Sequence, residues 1–422
     1  MQLHRVPLLG SVRMSTAMAS PLPSASLTTE GRSRAEQLDA LTSLRFFAAM
    51  HVVLFHYHGI FPWSLPQSQL IALGFTGVTF FFVLSGFILA HTYAQTDFRS
   101  SDLRTRYLWA RVGRIFPVYL VSLAISLPFL MLELARMPDG LMHVLQASSM
   151  LLAPIGLHAW VPGAAGALNP PSWSISAELF FYLLLPFILP HVLRRPIAWG
   201  AGVAVYWLLV TIAAAATWRA VAGASSIFPH HDDTSHALVA QLLKHLPLLR
   251  LPEFILGIVG YALWSRYRSR ITQSHALLAI GFALAAALLL IPLVPEIALH
   301  NGLTSIIWLP MIIWAAGQRG GVLQLPFLVH LGRISFALYL LHVPVGLAIS
   351  ESNQLLGWNA FQMWPTASVL FGIGLSLSLS AVVFTWLEEP ARRAIVAWGR
   401  SPTREPATSS SWAATARSRG TP

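Results

Sequence analysis

One repeated pattern leaves this chain few folds to choose from. Windows of about 17–25 predominantly apolar residues, each long enough to cross the hydrocarbon core of a bilayer as a helix, follow one another along the sequence. They fall near 40–60, 71–92, 115–135, 172–193, 197–218, 248–265, 275–294, 302–318, 327–349 and 366–387. The expected fold class is therefore all-α, a polytopic membrane bundle of about ten transmembrane helices. Only 10% of the residues are charged, against about 25% in a soluble protein, so composition agrees. Two stretches fit the pattern less well. Window 248–265 begins with Arg250 and Glu253, and 141–155 reads as a short span or as an interfacial helix.

The basic residues orient the bundle. Of 27 Lys and Arg, 21 lie in the two terminal segments and in the loops on the same side, among them 93–114. The opposite loops hold only Arg136, Arg219 and Lys244, while Arg45, Arg250 and Arg333 fall inside spans. By the positive-inside rule both termini are cytoplasmic, in the cell (plasma or inner) membrane. The same distribution accounts for the net charge of +11 without a nucleic-acid partner. The chain has no cysteine, which excludes disulfides, thiolate nucleophiles and Cys-ligated metals. Residues 1–36 are expected to be a disordered extension with Met14 or Met18 as alternative starts, 37–396 the membrane domain, and 397–422 a disordered cytoplasmic tail. Oligomeric state is not legible.

Charged and titratable groups inside such spans are costly unless they face a protein interior or a wet cavity, so they mark candidate sites. Arg45 and His56 stand eleven residues apart in Leu38–Tyr57. At about 100° and 1.5 Å per residue, that spacing puts them on one helical face, roughly 16 Å apart. Gly77, Ser85 and Gly86 in the second window allow close helix approach. Arg111 and Arg114, with Arg104 and Arg106 nearby, end a basic loop. Asn169 to Glu178 opens the fourth window with Trp173 and Ser174, and Glu178 shares a face with Ser174. Ser335, Tyr339 and His342 form one stripe of the ninth window. Arg250 and Glu253, three apart, read as an intrahelical ion pair.

These five elements, R-x10-H, GV-x-x-FFVLSGF, R-x-x-RI-x-P, W-S-I-S-x-E and S-x-x-x-Y-x-x-H, occur in an order that resembles the membrane acyltransferase-3 family over about residues 38–393. The resemblance implies an acyl-CoA-dependent O-acyltransferase of sugars, glycans or antibiotics. Its donor would be cytoplasmic acyl-CoA, acetyl-CoA being the expected one, used as a substrate with no tightly bound cofactor and no metal. Its acceptor would be a hydroxyl of a carbohydrate, glycan or glycosylated metabolite, with the lipid bilayer as the remaining partner.

The residues suit that chemistry. An alcohol needs a positioned base to attack a thioester, and an imidazole of ordinary pKa is mostly neutral at pH 7. His56 is the candidate base; the competing reading is a histidine bonded to a neighbouring helix. Arg45 either binds the donor or stabilises charge on the thioester oxygen, against a snorkelling anchor. Arg104, Arg111 and Arg114 are candidates for the CoA phosphates, although any inner loop carries such residues. Glu178 either orients His56, binds the acceptor or serves as a hydrogen-bond hub. Trp173, Ser174, Ser335, Tyr339 and His342 are expected to line the substrate cavity, and no base is evident beside Ser335 to make it a nucleophile. His230-His231-Asp232-Asp233 reads as a solvated loop rather than a metal site. Glu388-Glu389 reads as a cap on the last helix. Direct transfer is expected, with an acyl-histidine relay as the alternative. The rival function is a transporter or exporter of a polar metabolite, although no inverted repeat with broken helices is evident. After window 366–387 the sequence runs only to 422, which favours an acceptor handled by the membrane part alone.

Overall fold

Each of nine helices long and apolar enough to cross a membrane, counted among the described residues, falls on one of the expected windows. The computed structural model describes residues 29–61, 69–222, 234–267, 273–290 and 294–399. We number the spans α1 (Asp39–Ile60), α2 (Leu70–Tyr93), α3 (Ser101–Arg136), α4 (Pro170–Arg194), α5 (Pro196–Val221), α6 (Ala237–Tyr267), α7 (Glu296–Ala316), α8 (Pro326–Leu355) and α9 (Pro365–Trp398). Window 275–294 forms the helix Gln273–Leu290, whose apolar stretch Ser274–Ala287 is shorter than the nine. No strand occurs among the described residues, so the protein is an all-α, multi-pass membrane bundle. The helix Leu141–Leu152, with 12 residues, reaches only about 18 Å and fits the interfacial reading of 141–155. The helix that carries α1 begins at Thr29, within the expected extension. The rest of that extension, the segment from 400 and the His230–Asp233 motif lie outside the described residues.

The most enclosed span is α8, with 67% of its most apolar window buried, whereas α5, at 17%, runs along the periphery. Small residues let the central helices touch backbone to backbone. A Cβ on Gly86 of α2 would stand 2.0 Å from the Phe254 carbonyl of α6, and one on Gly257 would stand 2.0 Å from the Val83 carbonyl. No rotamer relieves such a clash, because the obstacle is main chain. Gly77 packs against the Ala48 carbonyl and the Val52 side chain of α1, each 2.8 Å from where its Cβ would stand, the close approach that the second window predicts. Ser85 does not share that role and turns toward Glu178. We expect Gly86→Val to cost about 3 kcal/mol or more, at the upper end of overpacking penalties. The readout is loss of the monodisperse detergent-solubilised peak; a wild-type melting temperature would contradict the packing account.

Helix irregularities gather around the interior polar groups. A 3-10 turn, Leu73–Thr76, precedes the regular part of α2. A π-helical segment, Leu299–Leu303, interrupts α7, with Gly302 at φ +97° beside the Glu253 side chain. A second, Phe384–Glu388, interrupts α9. π-segments of this kind re-aim side chains that a regular helix would point elsewhere, and they concentrate at functional sites. Here they carry His300 and Glu388.

Candidate active site

Two cavities occupy the bundle interior, one above the other. The first, of about 150 Å³, is lined by Arg45, Arg111, Arg114, Glu178, Tyr182 and Ser335, among others. The second, of about 540 Å³, is lined by His56, Trp173, Gln146, Gln241, His245 and His300, among others. Their order is the same on every helix they share. Along α3, Arg111 and Arg114 line the first, while Phe129 and Glu133 line the second. Along α8, Ser335 lines the first, while Val343 and Leu347 line the second. The cavities are thus stacked along the bundle axis, one toward each membrane face.

This arrangement divides Arg45 from His56. They share a face of α1, as their spacing predicts, but about 16 Å of helix delivers them to different cavities.

In the arginine cavity the cations differ in how far they are satisfied. Arg45 makes no hydrogen bond or ion pair among the described residues; Glu388 and Glu178 attract its charge from a distance, and Arg114 opposes it. Arg111 lies among the rings of Tyr93, Tyr107 and Tyr182, at 5.8, 5.9 and 5.5 Å from their centroids. Its Nε is buried without a hydrogen-bond partner. Arg114 forms an ion pair with the buried Glu388 and sits 4.9 Å from the centre of the Phe336 ring. Glu388 therefore does more than cap a helix. Arg104 lies outside the lining of this cavity: its Nη1 donates to the carbonyls of Phe98 (2.9 Å) and Arg99 (3.3 Å), bracing the α2–α3 connection.

Of the roles open to Glu178, its contacts fit the hydrogen-bond hub and not a partner of His56. Its Oε1 accepts from Tyr182 and, at 3.2 Å, from Ser85, and it lines the arginine cavity. Its helix position, about one and a half turns past Trp173, carries it away from His56. The residue that meets His56 is His342. His342 is fully buried and lines neither cavity, because its ring stands behind His56, with the ring centres 5.0 Å apart.

The protons of this pair follow from their backbone partners. His56 Nδ1 lies 3.0 Å from the Val52 carbonyl and His342 Nδ1 lies 3.1 Å from the Leu338 carbonyl. A carbonyl only accepts, so each imidazole carries its proton on Nδ1. The His342 Nε2 lone pair then shares the His56 Nδ1–H, at 3.1 Å. His56 Nε2 keeps its lone pair, has no hydrogen-bond partner among the described residues, and belongs to a side chain that lines the cavity.

The remaining residues build the walls. Tyr339 donates its hydroxyl to the Pro171 carbonyl at 3.0 Å and lies 2.8 Å from Ser174 Oγ, tying α8 to the start of α4. Ser174 lines the arginine cavity and Trp173 the histidine cavity. Ser335 is buried and donates to the Gly332 carbonyl, three residues back. Arg250 and Glu253 form the expected ion pair, with Nη2 to Oε1 at 2.6 Å and both side chains buried. Arg250 Nη1 also donates to His300 Nδ1 at 2.9 Å, and its guanidinium lies 5.3 Å from the Trp173 ring centre. Four further residues complete the lining: Gln241 and His245, one turn apart on α6, with Gln146 and His300 reaching the cavity from two other helices. In the loop before α4, burial pushes His158 down to about 4, and its Nε2 lies 3.1 Å from Ser172 Oγ.

Comparison with known proteins gives a consistent answer. The model of the family described as an acyltransferase domain, acyltransferase-3, matches residues 38–385. The chain is 29% identical over 392 residues to acyltransferase MdmB of Streptomyces mycarofaciens, covering 85% of this chain and 93% of that protein. It is 21% identical over 378 residues to O-acetyltransferase OatA of Staphylococcus aureus, covering 84% of this chain and 57% of that protein. Protein 2 in picA locus of Rhizobium radiobacter is 27% identical over 201 residues, or 45% of this chain. No solved structure matches.

Proposed function

This chain belongs to the acyltransferase-3 family of acyltransferases, and from that premise we propose that it is a CoA-dependent O-acyltransferase working across the two cavities. The donor is acyl-CoA, with acetyl the expected group, and it enters the arginine cavity from the cytoplasm. The side carrying most of the basic residues, including the 93–114 loop, is the cytoplasmic one, with both termini there, in the cell membrane. Three features support an anion there. Arg45 lacks a hydrogen-bond or ion-pair partner among the described residues, Arg111 Nε is buried without one, and arginine suits phosphate. The axial distance to His56 favours donor binding by Arg45 over contact with the thioester oxygen.

The acceptor is a hydroxyl of a carbohydrate, glycan or glycosylated metabolite, held in the histidine cavity. Gln146 Oε1 and His245 Nδ1 are buried without hydrogen-bond partners, and Trp173 offers an aromatic wall. A molecule rich in hydroxyls supplies what those atoms lack. His56 Nε2 takes the acceptor proton as the hydroxyl oxygen attacks the thioester carbon. The C–S bond breaks, the ester forms, and the proton passes from His56 to the departing CoA thiolate. The observation that carries this reading is the free His56 Nε2, with the proton held on Nδ1 by Val52 and His342. A transporter built on the same buried charges gives way to the family assignment.

Release of free CoA from acetyl-CoA by the purified protein, with and without a panel of glycoside acceptors, tests the proposal. Acceptor-dependent release supports it; no release from a folded preparation with any acyl-CoA would contradict it. His342→Ala removes a group that touches His56 and lines neither cavity. We expect kcat to fall about tenfold, equivalent to about 1.4 kcal/mol, with a displaced pH–rate profile. Donor KM should stay within about twofold. A change in KM alone would make His342 a packing residue.

A further inference from the structure

The two cavities have two lining residues in common among the described residues, Val78 of α2 and Tyr339 of α8. If donor and acceptor occupy separate cavities, the only lining shared by both marks where they meet. The two sides of that junction differ in freedom. Tyr339 is pinned, its hydroxyl held by the Pro171 carbonyl and by Ser174 Oγ, and its ring edge-on to Phe81 at 5.7 Å between centroids. Its ring lies 6.2 Å from that of His342, which backs His56. Val78 presents only two methyl groups, anchored by a helix whose neighbouring Gly77 abuts α1. The width of the junction therefore depends on the side chain at 78.

Resting on the donor and acceptor placement proposed above, we infer that the Val78–Tyr339 junction is the passage by which the acyl end of the donor reaches His56, and that Val78 sets the bulk of the acyl group admitted. The acyl group leads and the pantetheine arm follows, so the widest part of the donor's leading end must clear the junction first. An unbranched two-carbon acyl group passes beside valine, whereas a group branched near its carbonyl meets its methyls. No bond changes in this step; it precedes the transfer already described. Differences of one or two methyl groups in an apolar passage are worth about 10–200-fold in selectivity.

The test compares free-CoA release from acetyl-CoA and isovaleryl-CoA, with the glycoside panel, in wild type, Val78→Ala and Val78→Phe. Binding of CoA itself is measured by calorimetry on the same detergent-solubilised proteins. We expect Val78→Ala to raise the isovaleryl-to-acetyl rate ratio at least tenfold. Val78→Phe should lower transfer from both donors at least tenfold while CoA affinity stays within about threefold. Should Val78→Phe fail to give a monodisperse peak, Val78→Ile replaces it, with the ratio expected to fall. Wild-type turnover with unchanged ratios in Val78→Ala would overturn the passage and leave the acyltransferase assignment standing. No turnover by folded wild type with either donor would overturn both.

Discussion

Replacing His56 by alanine is expected to lower acyl transfer by about 10²–10⁴-fold, the usual contribution of a positioned general base. The expectation rests on the geometry of one atom. His56 Nε2 is the unprotonated nitrogen of its ring, because Nδ1–H is engaged by the Val52 carbonyl and by His342 Nε2. Alanine leaves the arginine cavity intact, since His56 does not line it. CoA affinity should therefore stay within about twofold while turnover collapses. His56→Gln restores bulk and a polar end without a base and should behave like alanine. Turnover by His56→Ala within threefold of wild type would remove the base assignment. Parallel losses of CoA binding and turnover would mean that the helix itself had been disturbed.

Arg45→Ala is the second large effect, and it falls on the donor. Hydrogen bonds to charged groups contribute about 1.5–3 kcal/mol, so donor KM should rise roughly 10–150-fold. At saturating donor, kcat should change much less, because Arg45 and His56 line different cavities. Arg114→Ala makes an informative contrast. Its guanidinium already pairs with Glu388, and removing it strands a buried carboxylate. Breaking a buried pair from one side costs about 3–5 kcal/mol, so the first casualty is stability. Glu388→Gln alongside Arg114→Ala should recover folding and expose whatever share Arg114 has in donor binding. Steady-state kinetics of Arg45→Ala decide between roles. A fall in kcat with unchanged KM would move Arg45 from donor binding to the chemical step.

The sequence was informative wherever a local period carries the signal. Apolar windows of membrane-spanning length located nine spans, and the three-residue spacing of Arg250 and Glu253 announced their ion pair. The i, i+4, i+7 relation of Ser335, Tyr339 and His342 showed that they share a stripe, and Ser335 and Tyr339 do line the arginine cavity. Periodicity says which residues face the same way; it does not say which helix stands opposite. The partner of His56 is His342, 286 residues away, and the partner of Arg114 is Glu388, 274 residues away. Nothing local distinguishes those pairs from Glu178 with His56, which the structure separates. Depth was also hidden. Arg45 and His56 share a face, yet about 16 Å of rise places them on two sides of a junction. His300 reaches the histidine cavity from the π-helical segment of α7, an irregularity that leaves no periodic trace.

In the proposed reaction, donor and acceptor approach from opposite faces and meet at the junction below His56. The chain has no cysteine, so one introduced thiol is a unique reporter. Ser85→Cys in the arginine cavity and Gln241→Cys in the histidine cavity would be placed singly in sealed vesicles of known orientation. A membrane-impermeant maleimide is then applied to one face at a time. We expect Ser85→Cys to react only from the cytoplasmic face and to be protected by CoA. Gln241→Cys should react only from the other face, with CoA making no difference. Labelling of both thiols from one face, or protection of Gln241→Cys by CoA with Ser85→Cys unaffected, would contradict the two-cavity arrangement.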